Sequence, residues 1–137
     1  MARIYYLSAR FERQAELRAV RAALVAQGHM VSCRWLDKEK DVNWLAVLVR
    51  TDQERECAAV GCVNDIWGCE VFVAFTEFGP RRAERGGRHV EFGLALAWHR
   101  RVILVGPREE NIFHHLPGVE QVDTVAALLT LLKETGT

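Results

Sequence analysis

Apolar residues along this chain follow two rhythms, and their alternation predicts the architecture. Four short runs, Arg3-Ile4-Tyr5-Tyr6-Leu7-Ser8, Met30 to Leu36, Glu70-Val71-Phe72-Val73-Ala74-Phe75-Thr76 and Val102-Ile103-Leu104-Val105-Gly106, read as strands. The central runs suit a parallel sheet buried on both faces. Between the strands the period lengthens. Leu17, Val20, Leu24 and Val25 recur at helical spacing up to Gly28, a natural helix stop. Thr51-Asp52-Gln53-Glu54 has the form of a capping box and opens a helix running to Gly68. Val90, Leu94 and Ala97 fall on one face of a helix from near Gly87 to about Arg100. A short strand at Glu120-Gln121-Val122 precedes a last helix, from Asp123 as cap to Lys133, that carries Val125, Leu128, Leu129 and Leu132. Five strands alternating with helices predict an α/β fold, a three-layer doubly wound sandwich with a five-stranded parallel sheet, flavodoxin-like or Rossmann-like.

The pattern fails between Asp37 and Arg50, where a mobile segment with a short helix is expected. Trp35 precedes it and Trp44 lies within it. Each either fills the core or offers a flat surface for stacking a base.

Composition adds bounds. The 137 residues suffice for one domain, residues 1–137, with a real core. With 18 basic and 18 acidic side chains the formal net charge is zero, which argues against a chain-wide footprint for a nucleic-acid polymer or a membrane. No stretch reads as a signal peptide or a membrane span, so a cytoplasmic protein is expected. Cys33, Cys57, Cys62 and Cys69 form no CxxC pair and read as reduced thiols. His114-His115 lacks an acidic or cysteine cluster nearby, so neither a metal nor another cofactor is expected.

The candidate chemistry gathers where strand gives way to helix. Gly86-Gly87-Arg88-His89-Val90-Glu91 follows a polar loop and places Glu91 at the carboxyl edge of the sheet, in what reads as a first helical turn. There the helix dipole and free N–H groups would favour the ionised carboxylate, although an acidic first turn is also ordinary helix design. Ser8 and Arg10 lie on the neighbouring edge; Ser8 either caps the first helix or meets a phosphate or sugar. Arg81, Arg82, Arg85 and Arg88 crowd the loop and favour a phosphorylated substrate, unless Glu77 and Glu84 merely neutralise a solvated loop.

Three blocks together resemble the nucleoside 2-deoxyribosyltransferase-like family, which includes hydrolases of nucleoside 5′-monophosphates: Ile4-Tyr5-Tyr6-Leu7-Ser8, Asp65-Ile66 with Cys69-Glu70-Val71-Phe72-Val73-Ala74, and Gly86-Gly87-Arg88-His89-Val90-Glu91-Phe92-Gly93-Leu94-Ala95-Leu96-Ala97. The likeness spans nearly the whole chain. It implies cleavage or transfer at the N-glycosidic bond of a small-molecule nucleoside or nucleotide, with Glu91 attacking C1′ to form a glycosyl-enzyme ester and Tyr5 holding that carboxylate. It places Gly86 and Gly87 near the 5′ end of the sugar, and implies a homo-oligomer in which Asn111 to Pro117 reaches a neighbour, with Asn111 as a substrate contact. One position departs. Where many relatives carry an aspartate, eight residues before Glu70, this chain has Cys62; Asp65, three residues on, either reaches the substrate or serves its own helix. The alternative is a nucleotide sensor that binds on the same scaffold without catalysis.

Overall fold

A computed structural model describes residues 2–37, 51–79 and 86–135. Five parallel strands, β1 (Ile4–Ser8), β2 (Met30–Val31), β3 (Val71–Phe75), β4 (Arg101–Val105) and β5 (Glu120–Val122), form one sheet in the order β2-β1-β3-β4-β5. Among the described residues four helices accompany them: α1 (Gln14–Ala26), α2 (Asp52–Gly68), α3 (Gly87–Ala97) and α4 (Val125–Glu134). Strand order reverses after β2, so right-handed crossovers put α1 on one face and α2 and α3 on the other. Accordingly α2 and α3 pack against each other. The result is the expected α/β three-layer, Rossmann-like arrangement, whose ligand crevice lies beyond the carboxyl ends of β1 and β3.

Tyr6, Leu7, Phe72, Val73, Ile103 and Leu104 are fully buried and fill the centre. Thr51 caps α2 as its sequence requires: its side chain accepts from the Glu54 N–H, and its hydroxyl meets the Glu54 carboxylate. Such a cap contributes about 1 kcal/mol.

Three expectations shift. The run Met30 to Leu36 pairs as a strand only over Met30–Val31, then turns through a 3-10 segment at Arg34–Asp37. The cause is Asp65, whose carboxylate takes the Arg34 backbone N–H at 2.9 Å and so offers the backbone a partner outside the sheet. Helix α3 buries Phe92 and Ala95 and leaves Val90 65% exposed, because the side toward the sheet lies one step round from the Val90 row. Helix α4 is capped by Thr124, which accepts from Ala127 N–H, rather than by Asp123. Trp44, Arg81, Arg82, Glu84, Arg85 and most of the Asp37 to Arg50 segment lie outside the described residues.

Candidate active site

Successive side chains of a strand point to opposite faces, so residues 6 and 8 of β1 share a side and residues 5 and 7 share the other. Tyr6 and Ser8 therefore project toward α3, and both end on Glu91: the Tyr6 hydroxyl donates a short hydrogen bond to Oε2 and the Ser8 hydroxyl donates to Oε1 at 2.8 Å. The Cys62 thiol of α2 hydrogen-bonds the same carboxyl group. Tyr6 is braced from behind by Phe72, stacked at 5.5 Å with an interplanar angle of 8°.

Tyrosine 5, expected to hold the carboxylate, does not. Its ring lies on the opposite face against His29, and its buried hydroxyl has no hydrogen-bond partner. The reason is strand alternation: Tyr6, two residues before Ser8, shares the Ser8 face, and Tyr5 does not. Glu91 also stands one residue beyond the first turn of α3, which holds no acidic residue. Enclosure, rather than the helix dipole, dominates its titration. Burial raises the carboxyl above its ordinary value, and the hydrogen bonds from Tyr6, Ser8 and Cys62 offset only part of that rise. Burial, followed by the neighbouring Glu91 charge, holds the Tyr6 phenol well above its own ordinary value. The site thus keeps a carboxyl surrounded by neutral donors.

A pocket opens beside this carboxyl, lined by Ser8, Thr76, Arg88, His89, Phe92 and His114, among others. Gly86 takes the left-handed conformation (φ 80°) that starts α3 at its rim, with Gly87 as the first helical residue. Gly106, with φ 115° at the end of β4, abuts the other wall: a Cβ there would lie 2.4 Å from the Thr76 hydroxyl. His114 is buried, edge-on to Phe92, and its Nδ1 accepts from the Glu109 N–H at 3.0 Å. Burial lowers its tendency to protonate, and because Nδ1 accepts, the neutral ring carries its proton on Nε2.

Of the expected cationic residues Arg88 and Arg10 are described, and both are occupied. Arg88 holds Glu109 through both carboxylate oxygens, at 2.5 and 2.7 Å. Arg10 lies 3.3 Å from Glu77 and 3.7 Å from Glu12. Arg13, not foreseen, donates to Glu77 at 2.8 Å and to the Thr76 carbonyl at 2.9 Å. Asp65 does not approach Glu91; both its oxygens are taken by Arg34, at 2.9 and 3.0 Å, so it fastens α2 to the turn after β2. Asn111 caps the 3-10 turn Ile112–His115 by accepting from the Phe113 N–H. Tyr6, Thr76, Arg13 and Glu109 had no local motif to mark them. For Glu109 the only cue was an acidic residue in a loop after a buried strand.

Among the described residues no group of three histidine, cysteine or acidic side chains could hold a metal, and no helix is long and apolar enough to cross a membrane.

No protein-family model matches the chain, and neither does any curated protein sequence. The fold does match a solved structure. The CMP N-glycosidase BcmB of Clostridium botulinum superposes with a TM-score of 0.58, over 96% of this chain and 98% of that one, at 16% sequence identity. The two share an architecture from end to end.

Proposed function

We propose that this protein cleaves, or transfers across, the N-glycosidic bond of a nucleoside or nucleoside 5′-monophosphate, with Glu91 as nucleophile. The observation that carries this reading is the Glu91 carboxyl held by Tyr6, Ser8 and Cys62, with Ser8 also lining a neighbouring pocket. The family resemblance of the glycine-to-alanine stretch around Glu91, and the fold shared with an N-glycosidase, support it.

In the proposed cycle a Glu91 oxygen forms a bond to C1′ as the C1′–N bond breaks. Both electrons leave with the base, which takes up a proton from solvent. A carboxylate matches the positive charge that builds on the sugar, and the ester splits one hard displacement into two easier ones. Water, or a second base, then attacks C1′; the ester C–O bond breaks, Glu91 regains its charge, and the incoming group loses its proton. Tyr6 and Ser8 fix the two oxygens so that one lone pair of the carboxylate stays aimed at the sugar. Every step uses groups of this chain, substrate and solvent.

The test is chromatographic measurement of free base from a panel of deoxynucleosides and their 5′-monophosphates, with and without a second base. Release should fall on the order of 10³-fold or more in Glu91→Gln. Acceptor dependence would separate transfer from hydrolysis. Release that survives Glu91→Gln would remove the mechanism, and binding without release from any substrate would leave a nucleotide-binding module.

A further inference from the structure

We infer that Glu109 is a specificity-determining residue that sets this pocket against a 5′-phosphate and makes the uncharged nucleoside its substrate; this rests on the N-glycosidic reading above. Phosphate is the anionic group that distinguishes a nucleotide from its nucleoside. It would be drawn to the cationic end of the pocket, where Arg88 lies on α3 beside the helix N-terminus. Arg88 sits one turn before Glu91, and side chains so spaced are roughly 5–6 Å apart at Cβ, well within the reach of one nucleotide.

That end already holds an anion. The Glu109 carboxylate meets the Arg88 guanidinium in the same two-pronged manner that a phosphate would, at 2.5 and 2.7 Å. It is fixed there from two further sides: Glu109 Oε2 accepts from the Glu77 N–H at 3.3 Å, and the Glu109 N–H donates to buried His114. Only 11% of the Arg88 side chain and 18% of the Glu109 side chain remain exposed. The two described arginines on the β1 side give no relief, because Glu77 holds both Arg10 and Arg13. An incoming phosphate therefore meets a bound carboxylate of like charge, whereas a 5′-hydroxyl can donate a hydrogen bond to it.

The experiment compares kcat/KM for deoxynucleosides and their 5′-monophosphates in wild type, Glu109→Gln and Arg88→Met, alongside calorimetric titration of each protein with inorganic phosphate. Wild type should favour the nucleosides. Glu109→Gln should shift the ratio toward the monophosphates by roughly tenfold or more and tighten phosphate binding by a similar factor. Arg88→Met, which keeps the carboxylate and removes its cation, should shift the ratio the other way. A wild-type preference for monophosphates, or a ratio and phosphate affinity indifferent to Glu109→Gln, would overturn the inference. Should Glu109→Gln fail to fold, an Arg88→Met ratio equal to wild type would overturn it as well. Absence of base release from every substrate would defeat the N-glycosidic reading instead, and the phosphate titration would still decide the role of Glu109.

Discussion

Two enclosed carboxylates, Glu91 and Glu109, each bond a residue that lines one pocket, Ser8 and Arg88 respectively, and are treated in opposite ways. Glu91 meets only neutral donors, from Tyr6, Ser8 and Cys62, and burial leaves it harder to ionise than an ordinary glutamate. Glu109 feels the same upward push from burial, but the Arg88 guanidinium and further hydrogen bonds outweigh it and hold the carboxyl below its ordinary value. A carboxylate matched to a cation is quiet: its charge is spent on its partner. One kept by hydroxyls and a thiol retains charge for a cation that is yet to form, which is what an oxocarbenium-like transition state supplies.

The sharpest way to break this contrast is at Tyr6. Hydrogen bonds to a charged group contribute about 1.5–3 kcal/mol, so Tyr6→Phe should lower kcat/KM for base release by about 10- to 150-fold. Tyr5→Phe, on the other face of the strand, should leave it close to wild type in the same assay. Equal losses in the two variants would mean that the tyrosines act through folding. Cys62→Ala removes a weaker donor and should cost about 2- to 12-fold, with the acid limb of the pH–rate profile moved upward as Glu91 loses a bond that favoured its ionised form. An unmoved acid limb would show that the thiol plays no part in setting Glu91.

The smallest effect is on stability, and its sign separates the two carboxylates. Glu91 titrates higher in the folded chain than in the unfolded one, so its contribution is most favourable below the unfolded value and is lost as pH rises through the folded value. Glu91→Gln should therefore melt a few degrees above wild type near neutral pH, and the gap should close in acid. Glu109 is shifted down. Its contribution is present above the unfolded value and is lost as pH falls through the folded one, so Glu109→Gln should melt below wild type near neutral pH and converge with it in acid. Melting curves across pH that move both variants in one direction would abolish the distinction.

Much of this was legible in the sequence, for reasons visible in particular residues. The runs at 70–76 and 102–106 had to be strands because they are apolar on both faces, and Glu91 stood out because it interrupts an apolar helix next to paired glycines. What misled was local reasoning applied to long-range facts. Tyr5 and Tyr6 are chemically identical neighbours, and only the pleat of β1 decides which one meets a helix more than eighty positions away. Arg88 and Arg10 suggested phosphate, yet the carboxylates that answer these two, Glu109 and Glu77, come from the ends of β4 and β3 and are remote in sequence. Asp65 likewise reads as an available acid until the turn after β2 brings Arg34 onto it. Charge counted along a chain says where ions are, not with whom they are paired.

Gly106 gives the pocket one last property. Its backbone lies against Thr76 so closely that even a methyl group would collide, and its φ of 115° disfavours any side chain. The Thr76 hydroxyl donates back to the Val105 carbonyl at 3.3 Å, which locks the two strand ends together. The Thr76 side chain, which lines the pocket, is thereby held in place before any guest arrives. Contact with that wall incurs little ordering entropy, so this side of the pocket is preorganised.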